Sequence, residues 1–284
     1  MILELKAHAK INLTLDVLYK RPDGYHEVDM IMQSLELADE IRISEAEMLV
    51  IDCDHPAVPC DERNLVWKAA RLLQQSAGVG AGARIAITKR IPVAAGLAGG
   101  SSDAATTLRG LNQFWGLGWS RRQLADLAVR IGADVPFCLT GGTMRCTGIG
   151  EKLAPLRQEL NGTVLLVTPD FEVPTARIYQ ALRLEEIGQH PRVDRVAEIL
   201  SRGTVTGIES YWGNLLEVAA LPEFPIIGQV KELFRQFGLA ALMSGSGPSV
   251  FALNPPPDAA AALLARLPGD WFGCLTRFQS AVDD

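Results

Sequence analysis

Residues 92–105 read PVAAGLAGGSSDAA, and this stretch decides how the rest of the chain is interpreted. It consists largely of small residues, with three glycines, five alanines and a pair of serines. A strand-like segment, 85–91, precedes it, and apolar residues at helical spacing follow it, so the pattern predicts a strand, a small-residue loop and a helix that starts near Ser101. Free backbone N–H groups at the positive end of a helix dipole suit a phosphate group. The sequence therefore predicts a phosphate-binding loop at this position.

The loop does not match the two commonest phosphate motifs. No Gly-Lys-Ser/Thr follows the glycines, so it is not a Walker A loop. The glycines at 96, 99 and 100 do not fit G-x-G-x-x-G either. A flexible turn packed against a neighbouring element is therefore the alternative interpretation of this stretch on its own.

Length, composition and charge limit the class of protein. The 284 residues suffice for one large domain or two ordinary ones. Hydrophobic residues make up 48% and charged residues 21%, which is typical of a folded globular chain. A net charge of −6 argues against a general nucleic-acid binder, and we expect no nucleic-acid partner. A small anionic ligand needs only a local basic pair such as Lys89 and Arg90.

The cysteines and the apolar runs indicate the compartment. The five cysteines are odd in number and irregularly spaced, which favours reduced thiols. Cys53, His55 and Cys60 lack a fourth ligand and the usual zinc spacing, so no metal site is predicted there. The start, MILELKAHAKINL, has no signal-peptide core, and no apolar run is long enough to cross a bilayer. We therefore expect a cytoplasmic protein without a membrane partner.

Periodicity and turn signals predict the order of the elements. Strands are predicted at 2–7, 10–18, 41–44, 49–52, 83–88, 143–146, 163–168, 250–253 and 271–278, with 41–44 and 49–52 forming a hairpin. Helices are predicted at 64–77, from the capping box at Ser120 to Gly132, from Thr175, and at 193–201, 212–219, 226–237 and 258–267. A polar segment at 152–162 marks a domain boundary, which divides the chain into domains 1–154 and 155–284.

Five polar or aromatic side chains each allow a structural and a functional interpretation. Lys10 and Asn12 lie on the same face of a predicted strand, and the spacing alone favours a solvated lysine. Tyr25 and His26 follow a strong Pro-Asp-Gly turn; they could hold a flat heterocycle or simply pack at the surface, and neither is favoured. Asp134 lies between a helix end and an apolar segment, where a local cap is favoured over a functional carboxylate.

Three separated motifs, taken in order, resemble those of the GHMP kinases, the superfamily of galactokinase, homoserine kinase and mevalonate kinase. They are Lys10-Ile11-Asn12-Leu13, the glycine-rich loop, and Gly245-Ser246-Gly247-Pro248-Ser249. Pro22-Asp23-Gly24-Tyr25-His26 and Gly132-Ala133-Asp134-Val135-Pro136 narrow the resemblance. They are similar to segments of the superfamily members that act on a cytidine diphosphate-linked methylerythritol in non-mevalonate isoprenoid synthesis. The resemblance runs from Ala9 to Phe251.

The resemblance implies an α/β (α+β) fold of two domains, with the active site in the cleft between them. Domain 1–154 would bind ATP, and domain 155–284 would lie on the substrate side. The implied catalytic residues are Lys10 and Asp134. The implied ATP-binding residues are Pro92, Val93, Ala94, Ala95, Gly96, Leu97, Ala98, Gly99, Gly100, Ser101 and Ser102, with Asn64, Leu65 and Lys89 on the adenine side. The implied substrate-binding residues are Asn12, Tyr25, His26, Thr175 and Tyr179, with Tyr179 closing an aromatic sandwich over the cytosine.

The implied reaction is transfer of the ATP γ-phosphoryl group to the 2-hydroxyl of the methylerythritol. Mg²⁺ is expected with ATP, with no protein cage for it, and Ser101 or Ser102 is a candidate contact. A monomer or weak homodimer is expected. The alternatives are another small-molecule kinase of homoserine or mevalonate type, and a nucleotide- or RNA-binding module without chemistry.

Two positions depart from the pattern of the superfamily. Ala98 stands where many relatives have glycine, and a positive φ there would cost about 1 kcal/mol. Met32 stands where some relatives carry an aromatic residue, and we expect its thioether to pack against the cytosine instead.

Overall fold

The structure is a computed structural model that describes residues 1–156 and 160–281. Residues 157–159, which include the Gln-Glu pair of the predicted boundary segment, lie outside the described residues, as do 282–284. The boundary between residues 154 and 155 therefore stays a prediction.

Two long strands form the centre of the first sheet. They are β1 (Ile2–Lys20) and β2 (His26–Ser44), which pair antiparallel along their length. The other edge of β2 pairs with two strands, one at each end. The remaining strands are β3 (Leu49–Cys53), β4 (Ala83–Thr88), β5 (Thr143–Gly148) and β6 (Lys152–Pro155), and the sheet order is β3-β4-β2-β5-β6, with β1 on the free edge of β2.

Two predictions about these strands are wrong. The segments 2–7 and 10–18 form one strand, with a register shift between His8 and Lys10 in place of a break. The predicted hairpin of 41–44 with 49–52 does not form, because β4 lies between the two segments. It pairs antiparallel with the end of β2 and parallel with β3. The apolar residues Ile85 and Ile87 of β4 are buried in this central position, which the local pattern of 41–52 could not indicate.

Among the described residues, the first half has four helices, which pack on the sheet and on one another. They are α1 (Leu65–Ala77), α2 (Gly99–Phe114), α3 (Arg121–Ile131) and α4 (Val135–Thr140). The side chain of Asn64 accepts the Val66 N–H to cap α1, and Gly78 ends the helix with a φ of +66°. The predicted capping box of Ser120 and Gln123 is confirmed at the start of α3. The end of α1 and the start of α3 are therefore correctly predicted from local capping residues.

The second half builds an antiparallel sheet with its own helices. Its strands are β7 (Thr163–Thr168), β8 (Leu242–Met243), β9 (Val250–Leu253) and β10 (Phe272–Arg277), in the order β10-β7-β9-β8. Its helices are α5 (Thr175–Ala181), α6 (Val193–Leu200), α7 (Glu217–Glu223), α8 (Pro225–Gln236) and α9 (Pro257–Leu264). The helix predicted at 212–219 begins instead at Glu217, because the preceding backbone pairs with β1. The Leu15 N–H donates to the Gly213 carbonyl (2.8 Å), and the Leu215 N–H donates to the Leu15 carbonyl (2.9 Å).

The two halves share buried surface and exchange backbone contacts. Ile11 and Leu13 of β1 lie in one apolar cluster with Val164 and Leu166 of β7. The segment after β10 returns to the first half, where the Gln279 N–H donates to the Ser34 carbonyl (2.9 Å). The two-domain α/β architecture is confirmed in its two sheets, each with its own helices. In the part of the chain described, no helix has the length and apolar character needed to cross a membrane.

Candidate active site

The glycine-rich loop adopts a conformation with three left-handed residues. Ala94, Gly96 and Ala98 have φ of +53°, +76° and +56°. Helix α2 begins at Gly99, two residues earlier than the sequence predicts. Within residues 1–156 and 160–281, no side chain caps its first turn. The positive end of α2 therefore presents backbone N–H groups that a bound ligand could satisfy.

The loop packs against the second small-residue turn, 244–249, which comes from the other half of the chain. A Cβ added at Gly96 would lie 2.2 Å from the Ser244 carbonyl oxygen, so this contact requires glycine. The Ser244 hydroxyl donates to the Gly96 carbonyl (3.0 Å), and the Ser249 N–H approaches the Ala95 carbonyl (3.4 Å). The two motifs that are far apart in sequence therefore meet directly.

Lys10 lies beneath this contact and is 4% exposed. Its ammonium donates to Asn12 Oδ1 (2.9 Å) and to the Gly96 carbonyl (3.2 Å), and it lies 3.5 Å from Asp134 Oδ2. The favoured interpretation from spacing, a solvated lysine, is wrong. The buried ammonium links the strand, the loop and the carboxylate of Asp134.

Asp134 immediately precedes α4 but does not cap it. Among the described residues its side chain accepts no hydrogen bond from the first turn of that helix, and it remains 30% exposed. The local-cap interpretation is therefore wrong. Because Lys10 is covered and Asp134 is partly open, the pair presents a carboxylate to solvent with an ammonium behind it.

Two of the predicted substrate residues, one from each half of the chain, lie in contact. The rings of His26 and Tyr179 are 5.1 Å apart at an angle of 33°. Burial and the nearby Asp134 carboxylate raise the pKa of Tyr179, and burial, with a smaller contribution from Lys20, lowers the pKa of His26. The phenol and the imidazole are thus both neutral near pH 7, which suits contact with an uncharged base.

The remaining predicted substrate residues occupy different environments. Tyr25 is 60% exposed at the start of the turn that precedes β2. Thr175 begins α5, and its hydroxyl is 2.8 Å from the Ser246 hydroxyl of the second turn. Asn12 is 1% exposed and gives its amide to Met30 Sδ (3.1 Å), so its side chain holds Lys10 in place. The expectation for Met32 is wrong, because that side chain is 0% exposed within the core and offers no surface to a ligand.

The three residues predicted on the adenine side lie near the loop but have protein partners. Asn64 caps α1 and donates to the Pro59 carbonyl (2.7 Å). Leu65 flanks the loop, since a Cβ added at Gly100 would meet its Cδ1 at 3.8 Å. The Lys89 ammonium is bound by the carboxylates of Asp39 and Asp103. Contact of these residues with a nucleotide stays a prediction.

Sequence reasoning missed residues that connect the two halves at the site. The Asn214 amide donates to the carbonyls of Gly245 (2.7 Å) and Met243 (2.8 Å), and its oxygen accepts the Leu216 N–H (3.0 Å). Asn214 thereby fixes the turn that supports the loop. In the sequence, Asn214 stands before an apolar run, which is a position typical of a local helix cap. This local pattern does not indicate the hydrogen bonds to Met243 and Gly245.

The described residues contain no cluster of three or more His, Cys, Asp or Glu side chains that could hold a metal ion. All five cysteines are free thiols. The site offers backbone amides, hydroxyls and the Lys10–Asp134 pair, which suit a phosphate group.

Known proteins share this arrangement. Residues 64–142 match the GHMP kinases N terminal domain, and residues 184–272 match the GHMP kinases C terminal region. The chain is 48% identical over 256 residues to a 4-diphosphocytidyl-2-C-methyl-D-erythritol kinase of Geobacillus sp. (strain WCH70), covering 89% of this chain and 88% of the relative. A relative of the same name from Clostridium botulinum (strain Loch Maree / Type A3) is 44% identical, covering 87% of this chain and 89% of its own length.

This chain belongs to the 4-diphosphocytidyl-2-C-methyl-D-erythritol kinase family. A crystal structure of a 4-(cytidine 5'-diphospho)-2C-methyl-D-erythritol kinase is similar over 98% of this chain and 100% of its own, with a TM-score of 0.80 and 36% identity. The homoserine kinase of Cytophaga hutchinsonii has a TM-score of 0.68 at 19% identity, covering 98% of this chain and 96% of its own. This second likeness shows a shared fold only.

Proposed function

We infer that this protein is an ATP-dependent kinase that phosphorylates 4-diphosphocytidyl-2-C-methyl-D-erythritol on its 2-hydroxyl, in non-mevalonate isoprenoid precursor synthesis. The family supplies the activity, and one structural observation supports its location. The Lys10 ammonium lies 3.2 Å from the Gly96 carbonyl and 3.5 Å from Asp134 Oδ2, so it joins the glycine-rich loop to a partly open carboxylate. The homoserine and mevalonate alternatives share only the fold at 15–19% identity. The alternative of a binding module without chemistry is wrong, because the relatives are named as kinases.

We propose that Asp134 positions the acceptor hydroxyl and accepts its proton late in the transfer. A carboxylate is far too weak a base to form an alkoxide in advance. It can take the proton as the oxygen–phosphorus bond forms. Lys10 would neutralise the negative charge that develops between the attacking oxygen and the γ-phosphoryl group.

We propose that the loop and the first turn of α2 bind the triphosphate. Its small residues let the phosphates approach the backbone, and the N–H groups of Gly99 and Gly100, in the first turn of α2, form part of the positive end of the helix. Mg²⁺ would arrive with ATP and neutralise phosphate charge. Ser101 and Ser102 are the nearest hydroxyl candidates to meet it; Ser101 is partly accessible, whereas Ser102 is buried.

We propose that the cytidine end of the acceptor binds against Tyr25, His26 and Tyr179. The contact of His26 with Tyr179 provides one wall, and the exposed Tyr25 ring is available as the other. Thr175 would contact the polar part of the acceptor, and its hydroxyl, held in place by Ser246, loses little freedom when it binds a ligand. Asn12, which is 1% exposed, would act at the substrate end of the site by holding Lys10.

The proposed activity is tested with a panel of acceptors. Purified protein is incubated with Mg-ATP and, separately, 4-diphosphocytidyl-2-C-methyl-D-erythritol, homoserine or mevalonate, and ADP release is followed. We expect ADP release with the cytidine acceptor alone, and phosphorus NMR should place the new phosphate on the tertiary carbon oxygen. ADP release with homoserine or mevalonate and not with the cytidine acceptor would contradict the proposal.

We further propose that residues 1–154 form the ATP-binding domain and 155–284 the substrate-side domain, in a cytoplasmic monomer or weak homodimer. Family matches at 64–142 and 184–272 fall on either side of that boundary. Sedimentation equilibrium over a range of concentrations measures the oligomeric state.

A further inference from the structure

A buried cluster of three charged residues lies under the glycine-rich loop, away from Lys10 and Asp134. It consists of Asp39 on β2, Lys89 at the end of β4 and Asp103 on α2, and we call it the loop-base cluster. The side chains of Asp39, Lys89 and Asp103 are 0%, 6% and 4% exposed. Buried charges are costly unless they are paired, and in this cluster the Lys89 ammonium pairs with both carboxylates.

Asp39 binds the residues that lead into the loop. Its Oδ1 accepts the backbone N–H groups of Arg90 (2.5 Å) and Ile91 (2.8 Å), and its Oδ2 accepts the Lys89 ammonium. One carboxylate therefore holds three consecutive residues immediately before Pro92. A second carboxylate, Asp54, accepts the Lys89 backbone N–H (2.9 Å) and fixes the same segment from β3's side.

Lys89 extends this attachment to the far end of the loop. Its ammonium donates to Asp103 Oδ2 (2.9 Å), in the second turn of α2. The first residue of α2 lies directly over the ammonium, because a Cβ added at Gly99 would be 3.3 Å from Lys89 Nζ. The segments entering and leaving the loop are thus joined through one ammonium.

The same contacts make Lys89 a poor direct ligand for phosphate. Two carboxylates neutralise its ammonium, and the start of α2 covers it. A lysine that binds a phosphate directly has to present its ammonium to the ligand. The positive charge of Lys89 is instead paired with the carboxylates of Asp39 and Asp103 inside the protein.

We propose that Asp39 and Lys89 are positioning residues for the phosphoryl donor, which hold the two ends of the glycine-rich loop together so that its amides are preorganised for the triphosphate. This proposal rests on the proposed ATP site. Neither residue touches the reacting atoms. Preorganisation of this kind strengthens binding because the ligand does not have to order the loop.

The test compares Asp39→Asn, Lys89→Met and the double variant with the wild type. Calorimetry measures the affinity for a non-hydrolysable ATP analogue with Mg²⁺ and, separately, for cytidine diphosphate. We expect each single variant to weaken analogue binding about tenfold, and the double variant to be no weaker than the singles, since the two residues act as one unit. Cytidine diphosphate affinity should change less than about twofold, because that ligand binds at the other end of the site.

Asp29→Asn is the matched control. Asp29 is also a mostly buried carboxylate on β2, and it pairs with Arg145 through contacts of 2.8 and 2.6 Å, but it has no bond to the loop. We expect its affinity for the analogue to equal that of the wild type. Equal losses of both ligands in Asp39→Asn would indicate a general structural defect and overturn the proposal.

A direct role of Lys89 gives a different pattern. If Lys89 itself bound the nucleotide, Lys89→Met would weaken analogue binding, whereas Asp39→Asn, which frees the ammonium, would not. That result would overturn the proposal.

If Asp39→Asn does not fold, Asp103→Asn replaces it, because it removes only the contact with α2. We then expect a smaller loss in the same direction, and wild-type affinity in Asp103→Asn would overturn the proposal. Analogue binding by a wild type that phosphorylates no acceptor would contradict the proposed function and leave this test intact.

Discussion

The ammonium of Lys10 lies 3.5 Å from Asp134 Oδ2, with 5% of the Lys10 side chain and 30% of the Asp134 side chain exposed. The two residues are separated by more than a hundred positions along the chain. The strand β1 and the segment before α4 bring them together beside the glycine-rich loop. This asymmetric burial places the acid group where a substrate can reach it and the cation where water cannot.

Asp134→Asn should lower kcat by about 100-fold or more, because the amide can still orient the acceptor hydroxyl but cannot take its proton. Affinity for a non-hydrolysable ATP analogue should stay close to that of the wild type. Steady-state kinetics and calorimetry give the two quantities. Full turnover in this variant would remove Asp134 from the reaction.

Lys10→Met should lower kcat/KM by about 100-fold, since a preorganised charge near the transferred phosphoryl group is lost. Methionine retains most of the side-chain volume in the buried position. A circular dichroism spectrum and a denaturant midpoint serve as the folding control. Unchanged kcat/KM in a folded variant would contradict the assignment of Lys10.

Tyr179→Ala should weaken binding of cytidine diphosphate by about tenfold, because it removes the ring that lies against His26. Tyr25→Ala should weaken it in the same direction, and neither change should alter binding of an ATP analogue by more than about twofold. Fluorescence or calorimetric titration measures both ligands. Equal losses for the two nucleotides would argue against stacking of the cytosine on these rings.

Ala98→Gly should stabilise the protein by up to about 1 kcal/mol, since Ala98 has a φ of +56° and glycine adopts this conformation without strain. Ala125→Gly, at a similarly half-buried position within helix α3, is the matched control and should destabilise the protein by about 1 kcal/mol. Urea denaturation measures both free energies of unfolding. A loss of stability in Ala98→Gly would show that the left-handed alanine costs nothing here.

The loop-base cluster also predicts a pH dependence. Burial raises the pKa of Asp103 to about 7, with Lys89 opposing the rise and Asp39 adding to it. An aspartate whose pKa is raised on folding contributes stability that is full below its unfolded pKa of about 3.9 and is lost as the pH rises through 7. Asp103→Asn cannot titrate, so its free energy of unfolding relative to the wild type should be more favourable at pH 8 than at pH 5.

The measurement is urea denaturation of the wild type, Asp103→Asn and Asp29→Asn at several pH values between 5 and 8. Asp29→Asn controls for loss of a paired carboxylate on the same sheet. A constant difference between the wild type and Asp103→Asn over this range would contradict the raised pKa.

Local chemistry in the sequence predicted a large part of this molecule. The end of the first helix at Ala77 and the capping box at Ser120 each depend on neighbours within a few residues, and the structure has them where the sequence placed them. The α/β architecture followed from the resemblance of the motifs. Pairing between distant segments could not be obtained in this way.

Lys10 illustrates the limit most clearly. Its strand neighbours predict a solvated lysine, whereas its burial depends on Gly96 and Asp134, which lie far along the chain. Asp39 and Asp103 gave no signal, since isolated aspartates in strands and helices are ordinarily exposed. The position of β4 is a second example. It pairs with β2 on one edge and with β3 on the other, and the local sequence does not indicate which strands become neighbours.

The return of the final segment to Ser34, together with the pairing of 213–215 with Leu15, has a consequence for protein engineering. A recombinant hybrid could join the N-terminal half of this chain to the C-terminal half of a relative at one crossover. Both contacts would then form between segments from different proteins. Because these bonds join backbone atoms, such a hybrid has to keep the relative geometry of the segments around Leu15 and Ser34 and of 213–215 and 278–281.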